Sequence, residues 1–480
     1  MKKILERLRF KWYFYKAEYA KALASLKKYP CANDELWACY MLGMHDTVAN
    51  SLWDGYDIKA GFAIAASLSA CGRFEEAEDI ISKLTYHKNF ENYRIRLAIA
   101  ISYYMPSVAI EIVKDNAPLD FYISLLLQNR KNDKAKELLQ RIIDKNEKVV
   151  SKPEFYLFAG NVIANSPLEQ LRFLNSFFSS YGLDVVTLKD VDKPLSVTNL
   201  KSNFKRTVDA PLISVLVTAY NTSCYISSAL ESLLAQTYKN IEVVVVDDCS
   251  TDDTSNIIHK IASCDKRVKY YKLPCNLGTF AAKTIGFTYA SGDFILCHDS
   301  DDWLHPQLIA IQMSTLLQNK KLVAAVSNWI RIDNDGVYRT CYNYPLLRLN
   351  PTSLLFRKKI VLEKMGLWDI VRTGADSEFY TRMKLVFGRK AVQRIKLPLT
   401  IGAYRENSLM VSVDTGNSPK GMSPIRLAYW EAWTRWHIDC LKEGKKPIMT
   451  RWSEANPKRP FVAPLSIDTS CDTIKRYLSK

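Results

Sequence analysis

The chain has 480 residues, 48% hydrophobic and 24% charged, which are proportions of a folded protein and exclude wholesale disorder. At roughly 150 residues per domain, this length predicts about three domains. The best apolar runs are Ile213–Val217, Ile241–Val246 and Leu322–Val326, far short of the roughly 18 residues of a membrane span. The net charge of +16 favours an anionic partner: a nucleotide, a polyanion, a nucleic acid or a membrane surface.

Residues 1–190 show the apolar spacing of helices and a weak repeat. An alanine recurs at a similar place in five segments: Ala22, Ala49, Ala77, Ala109 and Ala135. A small residue at a fixed point of a helical hairpin lets the next helix approach closely, so stacked hairpins are expected. The pattern resembles a degenerate tetratricopeptide array, and the alternative is an irregular helical bundle.

A polar stretch with Pro194 and Pro211 places a linker at 191–210. From 211 to 410 strand and helix patterns alternate, which predicts an α/β fold with a doubly wound, mostly parallel sheet. Residues 411–480 are read as a helical extension. The predicted strands are Leu212–Thr218, Ile241–Val246, Val268–Leu273 and Phe294–His298, and the predicted helices are Tyr225–Ala235, Ser255–Ser263, Thr279–Ala290 and Pro424–Leu441.

Three of these strands end in polar clusters. The clusters are Thr218-Ala219-Tyr220-Asn221, Asp247-Asp248 and Asp299-Ser300-Asp301. Ligands of such sheets bind beyond the carboxyl ends of the strands. The three clusters therefore predict one site.

The order of these pieces, with Asn276-Leu277-Gly278 between the second and third, resembles the inverting glycosyltransferases of family 2. The resemblance covers about Pro211–Ser408 and implies the Rossmann-like GT-A fold. It further implies transfer of a sugar from a nucleotide donor, expected to be UDP-linked, to a hydroxyl of a saccharide acceptor. Synthesis of a bacterial capsule or surface polysaccharide is the expected setting.

By this resemblance, the first two clusters hold the nucleotide. Thr218 and Tyr220, with the adjacent Ala219 and Asn221, line the base pocket. Asp248 accepts a hydrogen bond from the uracil imide. Alternatively, Asp247 carries part of that role. Further donor contacts are expected from Asn276, Gly278, Lys283, Asp299, Ser300 and Arg405.

A diphosphate leaving group calls for a hard divalent cation, Mn²⁺ or Mg²⁺, held by carboxylate oxygens. Asp299-Ser300-Asp301 matches the D-x-D motif, with Asp301 as the expected metal ligand and Asp299 as a second contact through ribose or water. Many relatives carry a histidine where this chain has Asn407. Phosphate and water then complete the metal shell, or His298 or His305 contributes.

Inversion requires a base for the acceptor hydroxyl. The segment from Arg372 resembles the family's base-bearing segment, so Asp376 is the expected general base and Glu378 the alternative. Many relatives have a further acid where this chain has Ala375. Because residues two apart on a helix face different ways, only one of the two acids is expected to line the site.

Residues 1–28 carry nine Lys and Arg side chains against two glutamates, interleaved with apolar residues. This mixture fits peripheral contact with anionic lipid, and equally an ordinary first helix with solvated lysines. The chain is expected in the cytoplasm. If residues 1–28 contact lipid, the acceptor is expected to be a lipid-linked saccharide at the inner face of the inner membrane. The helical repeats are candidates for protein binding or self-association.

Three other functions remain. A nucleotidyltransferase would show a Gly-rich basic loop after the first strand, where this chain has Ala219-Tyr220-Asn221-Thr222. A helical scaffold with an inactive transferase domain is disfavoured by the retained aspartates. Nucleic-acid binding rests on charge alone, without a recognised motif, and no nucleic-acid partner is expected.

Overall fold

A computed structural model describes residues 2–26, 32–113, 116–145, 152–202, 211–339, 344–405, 408–449 and 459–469. The helices are α1 (Lys2–Tyr15), α2 (Tyr19–Ser25), α3 (Ala32–Met41), α4 (His45–Ala49), α5 (Ile58–Ala70), α6 (Phe74–Thr85), α7 (Arg94–Ile101), α8 (Pro106–Val113), α9 (Leu119–Gln128), α10 (Asn132–Lys145), α11 (Glu154–Val162), α12 (Pro167–Ser180), α13 (Ile226–Leu234), α14 (Thr254–Cys264), α15 (Thr279–Tyr289), α16 (Leu308–Gln318), α17 (Lys358–Lys364), α18 (Ala375–Phe387) and α19 (Pro424–Lys442). The strands are β1 (Thr187–Leu188), β2 (Leu200–Lys201), β3 (Ile213–Ala219), β4 (Ile241–Asp247), β5 (Val268–Lys272), β6 (Phe294–Asp299), β7 (Trp303–Leu304), β8 (Ala324–Ile332), β9 (Arg348–Leu349), β10 (Leu355–Arg357), β11 (Val392–Ala403), β12 (Asn417–Ser418) and β13 (Gly421–Met422).

Successive helices from α1 to α12 pack in pairs, α1 with α2, α3 with α4, and so on to α11 with α12. The five repeated alanines lie on the second helix of the first five pairs, and each is at most 5% exposed. A methyl side chain at each of these points allows close packing of neighbouring helices. The helical character predicted for residues 1–190 is therefore confirmed, whereas the likeness to tetratricopeptide repeats stays a prediction.

The first part of the predicted linker is folded. Thr187 pairs with Lys201 in an antiparallel ladder between β1 and β2, and the Asn199 side chain donates to the carbonyls of Asp190, Lys193 and Pro194. These hydrogen bonds satisfy a polar loop that composition alone marks as a linker. Residues 203–210 of the predicted linker lie outside the described residues.

The large sheet has the strand order β5-β4-β3-β6-β10-β8-β11-β7, with β9 added beside β8. The four strands from β5 to β6 are parallel, β10 runs antiparallel to both its neighbours, and β8 and β11 are again parallel to each other. Val215 and Val217 of β3 pack on one face and Leu216 on the other, as alternation along a buried strand requires. The predicted α/β class is confirmed, with a mixed second half of the sheet.

Helix α19 joins the helical region to the α/β domain. The Trp430 indole donates to the Leu42 carbonyl at 2.7 Å, and Glu431 accepts from the Thr47 backbone at 2.9 Å. On the other side, His437 Nε2 lies 3.0 Å from Glu378 Oε1 on α18. The extension therefore covers the end of the α/β domain that carries α18. No helix among the described residues has the length and apolar character needed to span a membrane.

Candidate active site

Parallel pairing brings the three predicted clusters to one edge of the sheet. Thr218 is opposite Asp299 in the pairing of β3 with β6, and Ala219 is opposite Asp247 in the pairing of β3 with β4. The chain leaves all three strands at this level. The predicted convergence of the clusters is thus a feature of the structure, fixed by strand register.

Asp247 is fully buried and holds the turn that follows β4. Its carboxylate accepts from the Ser250 backbone at 2.8 Å, the Ser255 hydroxyl at 2.6 Å and the Tyr270 hydroxyl at 2.8 Å. Burial opposes ionisation, but these hydrogen bonds outweigh it and lower the pKa of Asp247. Both of its oxygens are engaged within the protein, so Asp247 shapes the loop beside the site.

Asp248 faces the loop before α15. The backbone N–H groups of Leu277 and Gly278 each donate to its carboxylate at 2.7 Å, while burial raises its pKa to about 6. Gly278 has a φ of +88°, and a Cβ there would lie 3.0 Å from Arg372 Cγ. Glycine is therefore required at this point by both conformation and space.

Arg372 closes this side of the site, and sequence reasoning gave it no role. Its guanidinium donates to the Asn276 side chain and, at 3.2 Å, to the Asn276 carbonyl. Asn276 in turn donates to the Asp248 carbonyl at 3.3 Å. Arg372 and Asn276 are 96 residues apart in the chain, so no local pattern could have linked them.

The segment 459–469, which we call the strap, contacts both Arg372 and the loop that carries Leu277. The Arg372 backbone donates to the Ile467 carbonyl at 2.8 Å, and the Thr469 hydroxyl donates to the Leu277 carbonyl at 2.9 Å. Arg459 anchors the strap through Asp369 at 2.8 Å and Asp468 at 2.7 Å. The sequence predicts a helical extension over 411–480, whereas the strap consists of bends, a turn and one β-bridge between Asp468 and Val371.

The end of β6 carries two carboxylates, each paired with a cation. Lys283 Nζ lies 3.3 Å from Asp299 Oδ1, and Arg405 Nη2 lies 2.5 Å from Asp301 Oδ2. Burial raises the pKa of Asp301, an effect that Asp299 reinforces and Arg405 opposes. Burial also favours a higher pKa for Asp299, but the positive charge of Lys283 outweighs burial, so the pKa of Asp299 is lowered.

The Asp299 and Asp301 carboxylates are hard oxygen donors of the kind that divalent cations prefer. Among the described residues, no three His, Cys, Asp or Glu side chains are grouped to hold a metal by themselves. Asp299 and Asp301 supply two oxygen donors, partly exposed at the site. Mg²⁺ is commonly held by one or two carboxylates together with substrate phosphates and water.

Asp376 and Glu378 have different surroundings although both lie in the first turn of α18. Asp376 and Lys283 line a small cavity with Cys297, Thr352 and Phe379; its volume of about 10 Å³ is of the order of one water molecule. Glu378 is fully buried, ion-paired with Arg382 at 2.7 Å and bonded to His437. The structure thus places Asp376 beside the carboxylate site and Glu378 in the core beneath α19.

The remaining predicted residues divide into exposed and buried groups. Tyr220 is 48% exposed at the mouth of the site, and Thr218 contacts the Thr279 hydroxyl at 2.8 Å. The Asn221 side chain accepts from the Thr251 backbone at 2.9 Å, which fixes the loop after β3. Ser300 is buried within the D-x-D turn.

Both predicted auxiliary histidines lie in the interior of the protein. His298 and His305 are buried, and burial lowers the pKa of each to about 4. His305 Nε2 is bonded to the Asp184 carbonyl at 2.9 Å. The Asn407 position lies outside the described residues.

Residues 214–375 match the family model described as glycosyl transferase family 2. The chain carries a glycosyltransferase family 2 domain. The match includes Asp248, Asp299 and Asp301 and ends one residue before Asp376. The resemblance noted in the sequence is therefore confirmed over residues 214–375.

Relatives of this family 2 domain are glycosyltransferases. An uncharacterized glycosyltransferase of Haemophilus influenzae is 40% identical over 129 residues, 27% of this chain and 51% of that protein. The chondroitin synthase of Pasteurella multocida is 32% identical over 136 residues, 28% of this chain and 14% of the synthase. Each match spans only about half of the relative or less.

Among solved structures, TarS residues 1–349 of S. aureus, in complex with UDP-GlcNAc, is similar to 41% of this chain and 59% of that chain. The two are 23% identical, with a TM-score of 0.35.

Proposed function

We propose that the family 2 domain is a metal-dependent, inverting glycosyltransferase that moves a sugar from a UDP-linked donor to a saccharide hydroxyl. One observation carries the proposal: Asp248, the Asp299–Asp301 pair and Asp376 lie at the same end of the sheet, on elements that are locked to one another. In that order, these carboxylates would bind the nucleotide base, bind the diphosphate through a metal, and take the proton of the acceptor hydroxyl.

In this proposal the donor's base lies between Tyr220 and the Asp248 loop. Asp248 already accepts two backbone N–H groups, and its remaining lone pairs would accept from the uracil imide. Arg372 would close the pocket from the other side. Asp247 would act indirectly, because both oxygens of its carboxylate already accept from protein donors.

Mn²⁺ or Mg²⁺, held by Asp301 with Asp299 beside it, would neutralise the diphosphate as the glycosidic bond to it breaks. Lys283 favours the ionised form of Asp299, and Arg405 holds the Asp301 side chain in place before the donor arrives. Arg405 lies at the edge of the site, so it can exchange its Asp301 contact for a phosphate oxygen when the cation binds.

Asp376 would accept the proton of the attacking hydroxyl. Its position at the start of α18 places it on the side of Lys283 and Asp299, where a donor sugar attached to the diphosphate would project. We assign this role to Asp376 rather than to Glu378, because Arg382 and His437 engage the Glu378 carboxylate in the core.

Similarity to the Pasteurella chondroitin synthase supports a growing polysaccharide as acceptor, and capsule or surface polysaccharide synthesis as the setting. The direct test measures release of nucleoside diphosphate from a panel of UDP- and GDP-sugars, with and without Mn²⁺, in the presence of oligosaccharide acceptors. Metal-dependent release from a UDP-sugar that Asp376→Asn abolishes would support the proposal. If no donor were turned over although UDP bound, the inactive scaffold would take its place.

A further inference from the structure

Helix α1 exposes a row of large apolar side chains. Ile4, Leu5, Leu8, Trp12 and Tyr15 are between 49% and 80% exposed. At 3.6 residues per turn, the five side chains fall within an arc of roughly 100° on the helix. We call this arc the apolar strip; it is a continuous surface rather than isolated exposed residues.

The opposite side of α1 accounts for the packing of the helix on the protein. Phe10 is fully buried and stacks on Phe14 with ring centroids 5.5 Å apart, and Phe14 contacts Tyr19 of α2. The core therefore uses one face of the helix. The apolar strip is a second apolar face, and the described part of the chain does not cover it.

Exposed cations flank the apolar strip on both sides. By the same helical geometry, Arg7 and Lys11 border one edge and Arg9 and Lys16 border the other. Lys16 lies over the Trp12 ring, with its Nζ 3.6 Å from the ring centroid. An ordinary surface helix would instead place these cations at the centre of the face turned to water.

We infer that α1 lies in the interface of an anionic lipid bilayer, with the apolar strip inserted among the acyl chains and the four cations at the level of the headgroups. An apolar face with Trp and Leu, bordered by Lys and Arg, has the composition that binds membranes in this way. Charge complementarity selects anionic lipid over a neutral surface or a second, equally cationic copy of the chain.

The contact would also orient the active site. Arg389, two residues after α18, donates to the carbonyls of Lys16 at 3.1 Å and Ala17 at 3.3 Å. The corner between α1 and α2 is therefore tied to the C-terminal end of α18, the helix whose first turn carries Asp376. A bilayer bound to α1 would hold that helix, and the acceptor side of the site, at a fixed distance from the lipid surface.

The test is flotation of the full-length protein with vesicles of phosphatidylcholine alone and of phosphatidylcholine mixed with phosphatidylglycerol. We expect flotation with the anionic vesicles, weakened when salt rises from about 0.1 M to about 1 M and the screening length falls to about 3 Å. Leu8→Ser/Trp12→Ser should lower partitioning about tenfold or more. Arg7→Gln/Lys11→Gln should lower it roughly 30-fold, since each surface cation contributes about fivefold.

The matched control is Leu52→Ser/Tyr86→Ser, which removes two apolar side chains that are 98% and 91% exposed away from α1. It should float like the wild type, and all variants should keep the circular dichroism of the wild type. Failure of the wild-type protein to float, or equal flotation of the control and strip variants, would overturn the inference. So would a concentration-dependent dimer that Leu8→Ser/Trp12→Ser dissociates, because the strip would then bind a second copy.

Discussion

Lys283 Nζ lies 3.3 Å from Asp299 Oδ1, although only 3% of the lysine is exposed. Burial alone would lower the pKa of Lys283, but the charges around it, with Asp299 first and Asp376 among them, raise it. One ammonium therefore pairs with Asp299, which we assign to the donor side, and feels the charge of Asp376, which we assign to the acceptor side.

Lys283→Met should destabilise the fold and weaken UDP binding. The Asp299 side chain is 35% exposed, so we expect a loss of about 2 kcal/mol in the free energy of unfolding, below that of a fully buried pair. Urea unfolding and calorimetric titration with UDP would measure the two effects. Lys269→Met removes a cation paired with Glu242 elsewhere in the sheet and should leave UDP affinity unchanged; equal losses in both variants would refute the assignment.

Asp376→Asn and Glu378→Gln should separate catalysis from stability. Asp376→Asn should lower turnover by about 10² to 10⁴ through loss of the base and leave the melting temperature unchanged. Glu378→Gln disrupts a fully buried ion pair with Arg382 and should cost about 3 kcal/mol of stability. The opposite pattern, with turnover lost only in a stable Glu378→Gln, would show that the two acids have been assigned the wrong way round.

Asp248 should give the stability of the protein a distinctive pH dependence. Its pKa is raised to about 6 in the folded state, against about 4 in an unfolded chain. Between these values the folded state binds more protons, so stability falls as pH rises, by roughly 2 kcal/mol over the interval. Above pH 6 the contribution is constant.

Urea unfolding of wild type and Asp248→Asn from pH 4 to 8 would measure this effect. As pH rises to about 6, the free energy of unfolding of the wild type should fall relative to that of Asp248→Asn. Above about pH 6 the difference between the two proteins should stay constant. Parallel curves for the two proteins would mean that Asp248 is not the group responsible.

Arg459→Leu should release the strap from the site. Asp369, which is fully buried, would lose its ion pair with Arg459, and the strap would lose its anchor beside Arg372 and Leu277. We expect faster proteolytic cleavage within 459–469 and a UDP affinity lowered about tenfold. Lys442→Met removes an exposed ion pair with Asp439 and should change neither quantity; unchanged UDP affinity in Arg459→Leu would show that the strap does not support the donor pocket.

The sequence predicted the elements whose signals are local. The bounds of β3 to β6 and of α13 to α15 agree with the predicted ranges to within one or two residues, because apolar runs of strand length alternate with amphipathic segments. The polar residues at the strand ends could then be assigned to one edge of the sheet, since parallel strands end together.

Other features depend on contacts between distant residues and could not be predicted. Strand β10 lies antiparallel between β6 and β8. Its three residues carry no sequence pattern that would predict this position. The role of Arg372 requires Asn276 and Ile467 to be nearby, and the burial of Glu378 depends on His437 of α19. The loop around Asn199 was predicted to be a linker from its composition. It is ordered by the Asn199 side chain, which donates to three backbone carbonyls.

The central claim is that the D-x-D end of β6 binds a nucleotide diphosphate together with a divalent cation. The most direct measurement is a thermal-shift titration of wild type and Asp301→Asn with UDP, with and without Mn²⁺. At about 100 times its dissociation constant, UDP should add about 2.7 kcal/mol to the stability of the wild-type protein when Mn²⁺ is present, and Asp301→Asn should lose this gain. Equal stabilisation of both proteins, or none of the wild type with any metal, would contradict the account.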